Sequence, residues 1–302
     1  MSFIRVNRFL KPLSVFIRLN KYLHPEVCRD DKSPKEQQKG HETKCKKAII
    51  VGGTGDIGLA TANQLFCAKA AKIALLDTDV CKGDKAISSL NCTFGKNKAI
   101  FIKTNVSDRK DIHDALMKAK SELKDVDMII NVFGVWDEIQ WEKEVTVNIV
   151  GTLNINQMMN DIVVKPGGFV LNVVGLPGIE PFSPSPVLSA CFHAIVGYTR
   201  SKGHEKNFSF SGIRTVALCA GITESAFSQD VLKKICCQQM SGDLKVYLSE
   251  TCWQKPEAVA KAVLELYRVS HSGSVWIVEG SRLFSIQFPA VKSIRVLEKQ
   301  FI

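Results

Sequence analysis

The sequence has no uninterrupted apolar run near the ~20 residues that a bilayer-spanning helix needs. It has no CxxC pair and no zinc-type Cys/His spacing, although ten cysteines are scattered along it. It has no repeat at a solenoid period, no low-complexity tract, and no basic motif interleaved with aromatics of the kind that binds nucleic acid. With 45% hydrophobic and 23% charged residues, 20 Gly and 10 Pro, the composition excludes collagen-like and disordered chains. Several of the cysteines fall in apolar segments, where a reduced thiol packs as a small hydrophobe.

The first 25 residues also contain no acidic side chain. What they do contain is amphipathic. At 100° per residue, Phe3, Val6, Phe9, Leu10, Leu13, Phe16, Ile17 and Leu19 share one helical face, and Arg5, Arg8, Lys11 and Arg18 fall on the other. An Arg-bearing, acid-free amphipathic start reads as a mitochondrial presequence. A peripheral membrane anchor, or a tail docked on its own domain in a cytoplasmic protein, fits the same pattern. Basic residues interrupt every apolar stretch, so a secretory signal is excluded. Residues 25–44 are polar and read as a linker. Residues 1–44 carry ten Lys/Arg against five acids, half of the net +10. The remaining +5 on residues 45–302 gives no ground for nucleic-acid binding.

The body alternates strands with helices. KKAIIV (46–51), KIALLD (72–77), KAIFIK (98–103), DVDMIIN (125–131), FVLNVV (169–174), IRTVALC (213–219) and SVWIVEG (274–280) are apolar strands. Helices are expected at about 59–70, after Asp77, from Ser107–Asp108 to about Glu122, over 141–163, and from 187 through about Lys202. Strands that are apolar throughout belong to a parallel sheet covered on both faces. Residues 45–302 are therefore expected to form one doubly wound α/β domain, preceded by an N-terminal extension.

Gly52, Gly53, Gly55 and Gly58 lie between the first strand and the first helix, and Asp77 ends the second strand 19 residues past Gly58. A glycine turn in that setting is the fingerprint of a dinucleotide site: helix N–H groups face the pyrophosphate and the acid takes the ribose hydroxyls. Asp77, with Asp79 near it and no Arg, favours NAD over NADP.

The loop, DMIIN with Gly134, TVNIVG, ALCAGIT and GSVWIVEG together resemble the short-chain dehydrogenase/reductase family, a Rossmann-type fold, and most of all the insect alcohol dehydrogenases. The resemblance covers nearly all of residues 45–302. It implies cofactor contacts from Gly52, Thr54, Gly55, Ile57, Gly58, Asp77, Asn105, Val106, Asn131, Gly134, Gly221 and Thr223, a supporting role for Asn148, and a homodimer formed through the helices near 141–163 and 187–206. The apolar face Val187, Leu188, Cys191 and Ile195 is a candidate dimer surface or part of the core. Asp56 stands at the family's middle glycine. It is either turned outward or caps its own helix, occupying donors the cofactor would use.

The resemblance also implies a Ser–Tyr–Lys set that moves the proton coupled to hydride transfer. Counting forward from GGFVLNVV places Gly175, Leu188 and Phe192 at those three positions. None has a titratable or hydrogen-bonding side chain, and positioned acid–base help alone is worth ~10²–10⁴ in rate. A displaced set, Ser185, Tyr198 and Lys202, has the right internal spacing but sits ten residues, ~15 Å of helix, from the expected place. The expectation is a member without ancestral catalysis whose former active site is an apolar pocket suited to a small ligand or a scaffold role. Its rival is an active oxidoreductase using the displaced set. His193 is expected to be a partly buried, hydrogen-bonded side chain. No metal site is expected.

Overall fold

A computed structural model describes residues 41–164, 166–290 and 293. The proposed presequence lies outside the described residues.

Eight strands form one sheet in the order β3-β2-β1-β4-β5-β6-β7-β8. β1 (Lys47–Val51), β2 (Lys72–Asp77), β3 (Ala99–Lys103), β4 (Met128–Asn131), β5 (Phe169–Gly175), β6 (Arg214–Ala220) and β7 (Val275–Glu279) run parallel, and β8 (Arg282–Ser285) closes the edge antiparallel. β1 and β4, adjacent in space but not in sequence, mark the point where the winding reverses. In such sheets the crevice outside the strand carboxyl ends is the ligand position.

Helices cover both faces because the central strands are buried on both sides; every residue of β4 is buried. On one face, α1 (Asp56–Cys67), α2 (Val80–Phe94) and α10 (Pro256–Val269) pack Leu65, Leu90 and Val263 against Ile50, Leu75 and Ile130. On the other, α3 (Arg109–Leu123) and the chain from Trp141 to Ile162 bury Leu116, Ile155 and Met159 against Ile49, Leu76 and Ile129. The alternation of Ile49 and Ile50, or Leu75 and Leu76, between the two faces is the strand period of two.

The expected continuous helix over 141–163 is instead segmented. α4 (Trp141–Val145) passes into a π-turn (Thr146–Gly151), then α5 (Thr152–Gln157) and α6 (Met159–Ile162). The extra residue of a π-turn re-aims side chains, and this one carries Asn148. The helix expected to run through about Lys202 is α7 (Pro186–Lys202), which ends at Gly203; a short further helix, α8 (Glu205–Ser211), follows His204. Leu188, Cys191 and Ile195 are 1%, 0% and 5% exposed within the protomer, so the face they form is core and not a free dimer surface. α9 (Gln238–Glu250) packs Leu244 beside them in a third cluster with Trp136, Phe182 and Phe192.

One polar node ties these layers together. Asn131 and Asn172 are paired across β4 and β5. Asn172 Oδ1 accepts from Asn131 Nδ2 at 2.8 Å and from Asn156 Nδ2 of α5 at 3.0 Å, and Asn172 Nδ2 donates to Thr199 Oγ1 of α7 at 2.9 Å. All four residues are buried.

Candidate functional site

A cavity of about 580 Å³ opens at the carboxyl ends of β1, β4, β5 and β6. It has a glycine-lined half and an aromatic half.

The glycine half is built by the turn after β1. Gly52 adopts φ +79°, which an L side chain resists. A Cβ on Gly58 would collide with the Gly52 carbonyl oxygen, so only glycine lets α1 seat so closely on the turn. α1 has Gly55 as its cap residue and no side chain bonded to its free N–H groups. The expectation that Asp56 caps its own helix is therefore corrected. Asp56 already belongs to the first helical turn, and its Oδ2 accepts from Ala226 N at 2.7 Å, in the loop after β6. The carboxylate forms a latch from the glycine turn to that loop and leaves the helix donors open.

Asp77 lines the cavity, but it is already engaged. Its Oδ2 accepts from Thr54 N at 3.0 Å and Thr54 Oγ1 at 2.6 Å, and its Oδ1 accepts from Thr78 N at 2.7 Å. Three of the carboxylate's about four acceptor sites are taken, and the free one is on Oδ1. Gly52, Gly55, Ile57, Asp77, Gly134, Gly221 and Thr223 are brought together on the cavity wall, whereas Thr54, Gly58, Asn105, Val106, Asn131 and Asn148 lie behind or beside it. Val106 packs against Gly151, where a Cβ would come within 2.8 Å of its Cγ2. Asn105 N donates to Asp111 Oδ2, tying that turn to α3. Thr223 Oγ1 donates to the Gly221 carbonyl at 2.9 Å and fixes the turn after β6.

Asn148 grips one residue from both sides. Its Oδ1 accepts from Val135 N at 2.8 Å and its Nδ2 donates to the Val135 carbonyl at 2.8 Å. The clamp holds the stretch after β4, which carries Gly134 and Trp136 to the cavity.

Gly175, Leu188 and Phe192 all line the cavity. The Phe192 ring lies over Gly175: a Cβ there would sit 3.0 Å from Phe192 Cε2 and 3.2 Å from Pro177 Cδ. No side chain of the three can hold or move a proton.

The displaced set is not assembled. Ser185 is fully buried and accepts from Trp136 Nε1 at 2.7 Å. Tyr198 lies thirteen residues on, about 20 Å along α7, and neither these residues nor Lys202 lines the cavity. The Tyr198 hydroxyl has no hydrogen-bond partner among the described residues, and burial pushes its pKa up, the opposite of an activated phenol. His193 is hydrogen-bonded, with Nδ1 2.9 Å from the Ser189 carbonyl, but it is exposed where partial burial was expected.

Several cavity residues escaped the sequence reading. Trp136, Phe182, Phe227 and Tyr247 form the aromatic half together with Phe192. Behind them lie two buried carboxylates. Glu138 accepts from Val187 N at 3.2 Å and Leu188 N at 3.0 Å, capping α7 from 49 and 50 residues away. Glu144 accepts from Asp137 N at 2.7 Å, and its other oxygen has no partner. Burial, with the Glu138 and Asp137 charges adding to it, pushes the Glu144 carboxyl up to about 7. The acidic residues around Trp141, from Asp137 to Glu144, are the sequence signal for this wall.

A helix N-terminus open to the crevice, an acid at the end of β2 and the sheet order together decide the kinship, and residues 46–235 match the family model described as short chain dehydrogenase. The chain belongs to the short-chain dehydrogenase family. Human 15-hydroxyprostaglandin dehydrogenase [NAD(+)] is 32% identical over 193 residues, 63% of this chain and 72% of that protein. Alcohol dehydrogenase 2 of Ceratitis cosyra is 27% identical over 237 residues, 77% of this chain and 90% of that protein. Among solved structures, levodione reductase superposes with a TM-score of 0.67 at 17% identity, covering 78% of this chain and 97% of that chain. A 3-ketoacyl-(acyl-carrier-protein) reductase from Brucella melitensis, complexed with NADH, gives 0.66 at 19% identity, covering 78% of this chain and 98% of that chain. These structures share the fold of this chain, whose family rests on the match to the family model. Among the described residues, no group of His, Cys, Asp and Glu could hold a metal, and no helix is long and apolar enough to cross a membrane.

Proposed function

We propose that this short-chain dehydrogenase binds NAD(H) but no longer catalyses hydride transfer, and that it acts by binding a ligand or partner. The observation that carries the reading is the Phe192 ring packed on Gly175, with Leu188 one turn before it, at the positions where the family resemblance implies the proton-moving set.

The crevice fits a dinucleotide. The uncapped N-terminus of α1 offers N–H groups and a positive dipole end to a pyrophosphate. Asp77, held by Thr54, offers its Oδ1 as an acceptor to a ribose hydroxyl. Gly134, Gly221 and Thr223 border the other nucleoside position. Asp56 opposes the same site with a like charge, so the expected affinity is weak. A bound nicotinamide supplies or accepts a hydride; the matching proton has no carrier among Gly175, Leu188 and Phe192.

The test is NADH titration by calorimetry beside an assay of secondary-alcohol oxidation. Binding without turnover supports the reading; turnover that disappears in Asp77→Ala overturns it. The rival, an active enzyme using Ser185, Tyr198 and Lys202, predicts activity abolished by Tyr198→Phe.

Two further proposals concern the N-terminal segment and the exposed apolar residues near α4. Residues 1–25 serve as a mitochondrial address, which N-terminal sequencing of the protein recovered from cells checks. A homodimer forms through the exposed Ile139, Trp141 and Val150 beside α4, so Trp141→Glu should shift the mass measured by light scattering to that of a monomer.

A further inference from the structure

The cavity wall sorts its charges. Its carboxylates Asp56, Asp77 and Asp137 all accept hydrogen bonds from the protein; Asp137 takes Gln140 N at 3.1 Å and Gln140 Nε2 at 3.0 Å. Its two ammonium groups, Lys143 and Lys234, have no ion pair or hydrogen bond among the described residues.

Both lysines line the cavity together with Trp136, Phe182, Phe227 and Tyr247. Lys143 stands in α4, beside the Glu144 that holds Asp137 N. Lys234 ends the short turn Val231–Lys234, and two residues later the Cys236 thiol donates to the Glu138 carbonyl at 2.9 Å. Both lysines thus lie on segments tied to the Asp137–Glu138 turn, through Glu144 and through Cys236. The same cavity carries a relay of rings: Tyr247–Phe182 at 5.0 Å, Phe182–Trp136 at 6.1 Å, Trp136–Phe227 at 5.8 Å and Phe227–Phe192 at 6.5 Å between centroids.

An aromatic-walled cavity that also carries two cations unpartnered among the described residues matches an anionic amphiphile. We infer that the aromatic half binds a single-chain aliphatic carboxylic acid, with the chain along the Phe182–Trp136–Phe227 wall and the carboxylate between Lys143 and Lys234. This deepens the binding role proposed above and rests on the cavity, not on a bound cofactor. Leu188 and Phe192 then have a use: where a proton-moving pair would be polar, they extend the apolar floor.

The experiment is calorimetric titration of the full chain with decanoate and with decan-1-ol, below their aggregation limits, and with NADH in parallel. Decanoate is expected to bind about tenfold tighter than the alcohol, the sum of two exposed charge contacts. That preference should fall below about twofold at high salt. The double variant Lys143→Gln/Lys234→Gln should bind acid and alcohol equally and leave NADH affinity unchanged. Equal affinities in the unaltered protein, a preference that survives the double variant, or no decanoate binding while NADH still binds would each overturn the assignment. Decanoate binding without NADH binding supports it and removes the cofactor reading instead.

Discussion

Replacing Gly175 with serine sets a side chain against a ring. Gly175 has φ −104°, so an L residue meets no backbone strain there and any cost comes from contacts. The Cβ would lie 3.0 and 3.4 Å from two atoms of Phe192 and 3.2 Å from Pro177 Cδ. Carbon pairs are comfortable at about 3.5–4.0 Å, so Phe192 has to move, and overpacking of this kind costs about 1–3 kcal/mol. Two of the three close atoms belong to Phe192. Phe192→Leu removes the ring edge and should absorb more than half of the serine's cost, a coupling on the order of 1 kcal/mol. Urea denaturation of the parent, the two single variants and the double variant measures it. Additivity within about 0.3–0.5 kcal/mol would show that Gly175 and Phe192 are independent, and would remove the argument that the two form one altered site.

Four further outcomes are expected. Asp56→Gly and Asp56→Asn should each tighten NADH binding, several-fold or more, in calorimetry, because both remove the like charge; an unchanged affinity would show that the latch to Ala226 does not oppose the cofactor. The triple variant Gly175→Ser/Leu188→Tyr/Phe192→Lys should raise NAD-dependent alcohol oxidation by at least ~10² over the parent, and its failure would locate the block elsewhere in the cavity. Glu144 holds its proton in the fold up to about 7 but ionises near the ordinary 4.5 when unfolded. Its contribution is full below the unfolded value and is lost as pH rises through about 7, roughly 3 kcal/mol in all; Glu144→Gln should flatten that segment of the denaturation-against-pH curve, and an unflattened curve counts against the assignment. Asn172→Ala leaves Asn131 Nδ2 and Thr199 Oγ1 unpaired, while Asn156 Nδ2 keeps the Thr152 carbonyl, and should cost about 2 kcal/mol or more; a loss below about 1 kcal/mol in denaturant melts would mean that the node is slack.

The sheet was legible because its strands are apolar runs bounded by turns and its helices carry a separate period. β8 was missed for the complementary reason: three of the four residues of Arg282–Ser285 are exposed, so no buried face shows in the pattern. The π-turn at Asn148 leaves no mark on composition, since TVNIVG reads as ordinary helix. In the site, Gly52, Asp77, Gly175, Leu188 and Phe192 were found by motif and counting, both of which work along the chain. The Asp56–Ala226 bond spans 170 residues and the Glu138 cap about 50, and no local pattern encodes either. The asparagine inside FVLNVV did leave a trace, a polar residue in an apolar strand, which is costly unless it is satisfied.

That asparagine gives the molecule the character of a chassis. Asn172 bolts α7 to the sheet at Thr199, about two turns beyond Phe192, while Glu138 pins the same helix at its first turn. The stretch that faces the cavity hangs between two fixings that take no part in chemistry. Its side chains can therefore be exchanged without shifting the helix register, which makes this chain a ready host for installing a new reaction by design.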